Sequence, residues 1–257
     1  MIEFDAVTKG YSPDADPTLR EFSLRIARGE LMVLIGESGC GKTTSLNMVN
    51  LLIEPDSGTV RVDGEDVRRA DPVSLRRRIG YVFQGIGLFP HMTIAENIAI
   101  TPRLLGWTRD EMTRRVDELL ALVRLDAARY RSRFPAELSG GQRQRVGLAR
   151  ALAGKPKVML MDEPFGALDP ITRDDLSEDF RRIHVELNLT TIMVTHDMTE
   201  ALLMADRIAV MRAGRIIQVD TPGGLLGAPA DESVRRMIEN PRRRARKLAE
   251  VLGGGPR

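Results

Sequence analysis

The sequence predicts an α/β protein with a mostly parallel sheet built around a phosphate-binding loop. The first observation is a continuous apolar run, Leu31-Met32-Val33-Leu34-Ile35. It ends on Gly36 and opens the stretch Gly36-Glu37-Ser38-Gly39-Cys40-Gly41-Lys42-Thr43. A buried strand, a glycine-rich turn with Lys and Thr, and a helix start in that order are what a phosphate loop requires. The second is the return of strand-like runs at 158–161, 191–194 and 208–211, separated by helical spans at 170–187 and 198–204. That alternation reads as a parallel sheet with helices on its faces. The third is a helical block from 93 to 130, continued after Gln142, which reads as a helical subdomain over residues 93–153.

In chain order, 2–7 and 22–26 alternate apolar and polar residues as half-buried strands do. After the loop, 43–52 reads as a helix. Residues 59–62, closed by Asp63-Gly64, form a strand and turn. A short strand at 79–83 leads into a glycine-rich connection, 84–90. Thr108, ahead of Arg109-Asp110-Glu111, is an N-cap. The run Leu138-Ser139-Gly140-Gly141-Gln142 opens a basic helix, 142–152. A hydroxyl and two glycines at a helix start form a second anion-binding turn. Residues 214–219 complete a hairpin after Ala213-Gly214. The last stretch, 241–257, is basic and reads as a frayed helix and tail.

Composition bounds the function classes. With 42% hydrophobic and 29% charged residues and a net charge of +2, the chain matches an ordinary globular protein. The small positive excess, much of it in Arg242, Arg243, Arg244, Arg246 and Lys247, argues against a nucleic-acid partner; five clustered cations are more often a solvated end or a contact to anionic lipid. No apolar stretch approaches the ~20 residues that span a bilayer. The first residues lack the sections of a signal peptide, and Cys40 is the only cysteine, so no intrachain disulfide can form. A cytoplasmic protein is expected, one that reaches membranes only through a partner.

The chemistry concentrates at strand ends. In the first loop the glycines turn backbone N–H groups toward phosphate oxygens, Lys42 compensates their charge and Thr43 can ligate Mg²⁺. In Val158-Met159-Leu160-Met161-Asp162-Glu163 a buried strand ends on two carboxylates. Asp162 suits the Mg²⁺ shell, and Glu163 is the candidate general base toward an attacking water. Gln84 can ligate Mg²⁺ or position water without adding charge. His196 can donate to a γ-phosphate oxygen. Both follow strands, where ligands bind in open α/β sheets. Tyr11 can stack on an adenine ring.

With these elements in this order, the chain resembles the ATP-binding subunits of ABC transporters over residues 1–235, leaving 236–257 as a basic tail. The resemblance implies the ABC ATPase fold, with an N-terminal antiparallel β part. It implies that Gly36, Ser38, Gly39, Cys40, Gly41, Lys42, Thr43 and Thr44 belong to the Walker A loop binding ATP. Gln84 would be the Q-loop glutamine, and Ser139, Gly140, Gly141 and Gln142 part of the signature. Asp162 would end the Walker B strand, Glu163 would be the catalytic glutamate, Asp169 part of the D-loop and His196 the switch histidine. It also implies a head-to-tail pair of copies, in which the signature of one closes over ATP held by the other.

Within the family the chain is most similar to importer ATPases for glycine betaine, choline or carnitine. The residues that carry this are Gly85-Ile86-Gly87-Leu88-Phe89-Pro90-His91-Met92-Thr93, Pro102-Arg103-Leu104-Leu105-Gly106-Trp107 and Phe165-Gly166-Ala167-Leu168-Asp169-Pro170-Ile171-Thr172-Arg173. Importers of amino acids or other small solutes share parts of these runs and remain alternatives. Many relatives carry paired C-terminal CBS domains, so regulation of that kind is not expected from these 257 residues. Integral membrane permease subunits are the implied partners, with a solute-binding protein acting indirectly, at the cytoplasmic face of the inner membrane. Residues 88–93 resemble the surface that receives the permease. A soluble repair or translation ATPase is disfavoured. It would bring a long coiled-coil insertion or a second set of motifs, and neither is present. The signature also speaks against an unrelated phosphate-loop kinase.

Overall fold

The computed structural model describes residues 1–12 and 15–252. Among the described residues, ten strands and ten α-helices run in the order β1 Ile2–Lys9, β2 Leu19–Ile26, β3 Leu31–Gly36, α1 Lys42–Val49, β4 Ser57–Val62, β5 Glu65–Asp66, α2 Pro72–Arg77, β6 Ile79–Val82, α3 Ile94–Leu104, α4 Arg109–Leu122, α5 Ala127–Tyr130, α6 Gly140–Leu152, β7 Val158–Asp162, α7 Pro170–Glu186, β8 Thr190–Val194, α8 Met198–Met204, β9 Arg207–Arg212, β10 Arg215–Asp220, α9 Pro222–Gly227 and α10 Glu232–Leu252.

Two sheets result. The six-stranded sheet has the order β10-β9-β3-β8-β7-β6. Its members from β9 to β6 are parallel, and β10 adds an antiparallel edge through the Ala213-Gly214 turn, where both φ angles are positive. The second sheet, β2-β1-β4-β5, is antiparallel throughout. Strand β3 is buried on both faces, which is why it reads as an unbroken apolar run. Leu31, Val33 and Ile35 face a cluster shared with Ile98, Leu119 and Val146 of the helices. Met32 and Leu34 face the other cluster, which includes Phe4 and Phe22 of the antiparallel sheet. Burying that strand on both sides holds the loop at its end rigidly.

The observed elements refine the expected ones. The block 93–130 is three helices, broken where Gly106 and Arg124 take positive φ. The cap at Thr108 is present: its hydroxyl accepts from Glu111 N at 3.3 Å while the Glu111 carboxylate accepts from Thr108 N at 2.7 Å. Helix α6 begins two residues before the expected start. Helix α1 ends at Val49, three residues before the expected end, because Leu51 takes a left-handed φ of 54° that no helix continues through.

The largest difference lies at the C-terminus. The boundary expected between 235 and 236 falls inside the 21-residue helix α10. Val234 and Ile238 are buried in the cluster that holds α8 and α9, so the first turns of α10 pack as part of the domain. Of the tail cations, the side chains of Arg242, Arg244 and Arg246 lie outside the described residues, as do residues 253–257.

Candidate functional site

The site forms at the C-terminal ends of β3, β7 and β8 and at the end of β6, as open α/β sheets require. Strand β3 delivers the loop 36–43. Gly41 holds φ 99°, and a Cβ there would lie 2.5 Å from Leu19 Cδ2 and 2.8 Å from the Thr18 carbonyl, so only glycine fits. It is also the N-cap of α1 and provides no side-chain cap, so the first-turn N–H groups remain open to an anion. Lys42 is buried, and its ammonium donates to the carbonyls of Gly36 (2.8 Å) and Glu37 (2.9 Å); among the described residues only the Cys40 thiol, at 3.7 Å, faces its remaining donor. A phosphate oxygen is a far better acceptor than that sulfur.

Strands β7 and β8 bring the acidic pair beside this loop. Thr43 Oγ1 donates to Asp162 Oδ1 at 3.2 Å. Asp162 is buried; that burial pushes its pKa up, the Thr43 hydrogen bond works against it, and the Glu163 charge adds to the rise. A buried carboxylate facing a hydroxyl is a fitting donor pair for Mg²⁺, which takes one or two carboxylates and completes its shell with phosphate and water. Among the described residues no group of three or more His, Cys, Asp or Glu side chains could hold a metal by itself.

Glu163 sits at a non-glycine φ of 45°, pinned by its N–H donating to the Val194 carbonyl at 2.9 Å. Gln84 Nε2 donates to Glu163 Oε2 at 3.0 Å, and His196 Nδ1 lies 3.3 Å from Glu163 Oε1. Three strand ends thus bring Gln84, Glu163 and His196 together. Among the described residues the Gln84 amide oxygen accepts no hydrogen bond, so it remains available to a metal.

Tyr11 stands at the loop's outer edge, its hydroxyl 3.4 Å from Thr44 Oγ1 and the residue 64% exposed. The run at 138–142 lies elsewhere. Ser139 caps α6: its hydroxyl accepts from Gln142 N at 3.3 Å, and its N–H donates to Gln142 Oε1 at 3.0 Å. The hydroxyl proton stays available to an outside acceptor. A Cβ on Gly140 would meet nothing within 4 Å, whereas one on Gly141 would lie 2.4 Å from Thr172 Cγ2. Among the described residues no hydrogen bond joins 138–142 to the loop 36–43. Asp169 caps α7, accepting from Thr172 N at 3.0 Å, which lowers its pKa. The structure thus separates these residues into two groups.

Two features escaped the sequence reading. A cleft of about 490 Å³ runs from Gly36 and Ser38 past His196 to Arg236 and Met237, so α10 walls the same region. The spacing Val234, Met237, Ile238 is a helical signal that could have revealed it. A second groove of about 300 Å³, between Tyr81, Phe83, Phe89, Ile100 and Arg150, runs beside the Gln84 loop. Arg150 builds its wall, donating to the Ile86 and Gly87 carbonyls at 2.8 and 2.6 Å. In the expected contact surface, Phe89 and Pro90 are exposed, while Leu88 is half-buried against the core.

Fold and site together define a phosphate-loop nucleotide-binding protein with an acidic pair and a second glycine-rich helix start. The family model described as ABC transporter matches residues 19–166, and the chain belongs to that family. It is 52% identical over 238 residues to the glycine betaine/carnitine/choline transport ATP-binding protein OpuCA of Bacillus subtilis, covering 93% of this chain and 62% of the relative. It is 47% identical over 256 residues to the osmoprotectant import ATP-binding protein OsmV of Salmonella typhimurium, covering 98% and 67%. The chain spans about three fifths of the first curated relatives it matches (62%, 62% and 59%). Among solved structures, the dimeric post-hydrolysis state of the ATP-binding cassette MJ0796, bound to ADP and Pi, is 32% identical with a TM-score of 0.76, covering 86% of this chain and 99% of that one.

Proposed function

We propose that this chain is an ATP-hydrolysing subunit that works as a pair of copies and powers a membrane importer of quaternary-amine osmoprotectants such as glycine betaine, choline or carnitine. The observation that carries the hydrolytic reading is the contact of Gln84 and His196 with the two oxygens of Glu163. The loop N–H groups and Lys42 bind the ATP phosphates, and Tyr11 stacks on the adenine. Thr43, Gln84 and Asp162 would hold Mg²⁺, which supplies charge neutralisation at phosphate oxygens. Glu163 takes the proton of the attacking water, each carboxylate oxygen keeping a lone pair beyond its present neighbour. Gln84 orients that water, and His196 places an N–H against the γ-phosphate.

Ser139, Gly140, Gly141, Gln142 and Asp169 act on the ATP of the second copy. Their separation from the chain's own loop, the open surface at Gly140, and the dimeric form of the similar cassette support this. ATP then becomes part of the interface, and its hydrolysis weakens the pair. The permease docks in the groove beside Phe83 and Phe89, both exposed, next to nucleotide-sensing Gln84. The chain sits peripherally at the cytoplasmic face of the inner membrane; among its described residues no helix is long and apolar enough to cross a bilayer. The printed names of the relatives at 52% and 47% identity support the solute class.

Steady-state ATP turnover of Glu163→Gln tests the mechanism: loss by about a thousandfold is expected, on the scale of a general base and its electrostatics. Turnover near the wild-type rate would overturn the general-base assignment. Co-purification with permease subunits tests the importer reading, and stable recovery with ribosomes or DNA instead would sink it.

A further inference from the structure

One guanidinium ties the Asp169 loop to the His196 loop. Arg173 lies in the first turn of α7. Its Nη2 donates to the Leu168 carbonyl at 3.1 Å, and its Nη1 lies 3.6 Å from Asp197 Oδ2. Its Nε is buried without a hydrogen-bond partner, so the head group is committed to its two ends. The other Asp197 oxygen is occupied: Oδ1 caps α8, accepting from Thr199 N at 2.8 Å and Glu200 N at 3.3 Å. The Asp197 N–H donates to Thr195 Oγ1 at 3.1 Å, and that hydroxyl in turn donates to Glu200.

His196 is thus flanked by two anchored residues, while its own side chain is 64% exposed and, among the described residues, pairs only with Glu163. Gly166 adds a second approach from the same loop as Leu168; a Cβ there would lie 3.7 Å from Glu163 Oε2 and 3.8 Å from His196 Cε1. With the two side chains of the Arg173–Asp197 pair 30% and 33% exposed, its value to stability is small. A planar fork that bridges two loops is poorly replaced by lysine, whose single ammonium cannot serve both ends.

We propose that Arg173 is a positioning residue that ties the His196 loop, through Asp197, to the Leu168 carbonyl and so keeps the ring beside Glu163. This rests on the hydrolytic reading given above and names what holds the histidine in place within one chain.

The test uses the full chain and the variants Arg173→Met and Arg173→Lys, with and without His196→Ala. Arg173→Met is expected to lower kcat about ten- to a hundredfold, the cost of misplacing a reacting group, with KM for ATP changed less than about twofold. Because the chain has three histidines, ring NMR signals provide a second readout: His196 should shift while His91 and buried His184 stay in place. In the His196→Ala background, adding Arg173→Met should cost less than about twofold, since coupled residues are not additive. A full multiplicative loss there, wild-type kcat in Arg173→Met, full rescue by lysine, or a shift of His184 alongside His196 would each overturn the coupling. A wild-type chain without ATP turnover would overturn the hydrolytic reading and the coupling with it, which keeps the two failures apart.

Discussion

Thr43 and Asp162, 119 positions apart in sequence, meet at 3.2 Å between the phosphate loop and the end of β7. The carboxylate is 7% exposed, and burial raises its pKa. The sign of its effect on stability follows. A group whose folded pKa is raised binds its proton more tightly in the native state, so its contribution is present at low pH and lost as pH rises through the ordinary carboxylate range and beyond. At neutral pH the nucleotide-free protein therefore bears a destabilising charge that a cation would relieve. Asp162→Asn should raise the melting temperature at pH 7 by roughly 2 °C or more, while Mn²⁺ binding in the presence of ATP, followed by electron paramagnetic resonance, should be lost. A lower melting temperature with Mn²⁺ binding intact would remove Asp162 from the metal shell.

Tyr11 projects from the edge of the loop and is mostly exposed. Base–aromatic stacking is worth ~1–3 kcal/mol, so Tyr11→Ala should weaken ATP binding roughly tenfold or more. Tyr11→Phe should bind as the wild type does, because the hydroxyl contributes only a 3.4 Å contact to Thr44. Titration with a fluorescent ATP analogue measures both. Equal losses in the two variants would assign the effect to the hydroxyl.

Asp179 on α7 is 2% exposed and is approached by Arg145 at 2.6 Å, Arg124 at 2.8 Å and Arg182 at 3.5 Å. It links α7 to the helical subdomain through Arg145, which also donates to the Val123 carbonyl at 3.0 Å. Removing one partner of a buried pair leaves the other uncompensated. Asp179→Ala should cost about 3–5 kcal/mol in denaturant unfolding. A loss under about 1 kcal/mol would show that water reaches these arginines.

His184 is buried with Nδ1 3.0 Å from Thr191 Oγ1 and Nε2 3.2 Å from the Gly29 carbonyl. Burial lowers its pKa below the ordinary 6.5, helped by Arg181, with Gly29 and Asp206 acting in the opposite sense. The unfolded chain therefore takes up this proton first. Stability should fall as pH drops through 6.5 toward the depressed folded value. Thermal melts between pH 7.5 and 5.5 should show a slope that His184→Gln flattens. An unchanged slope would place the acid sensitivity elsewhere.

Much of the site was legible because phosphate chemistry is written locally. The run 36–43 and the strand ending on Asp162-Glu163 each announce a backbone shape and a charge within a few residues. The direct contacts of Gln84 and His196 with Glu163 were not legible, since they arise from the strand order β3-β8-β7-β6, which crossovers set and composition does not. Arg173 entered the sequence reading only as the end of the run 165–173, for the same reason: its partners come from two loops. The part of α10 from 236 onward was read as tail because Pro241 and the surrounding arginines masked the apolar spacing of Val234 and Ile238. Thr108 and Ser139, by contrast, were placed at helix starts by residue type alone, and both are caps in the structure.

The central claim is that two copies complete each nucleotide site, the 138–142 turn of one closing over ATP on the loop of the other. The most direct measurement is the solution mass of Glu163→Gln by light scattering at saturating Mg²⁺ and ATP, beside Glu163→Gln combined with Ser139→Arg. Dimers of the first with ATP but not ADP, and monomers of the second that still bind ATP, are predicted. Monomeric Glu163→Gln at saturating ATP, or loss of ATP binding by the monomer on Ser139→Arg, would contradict it.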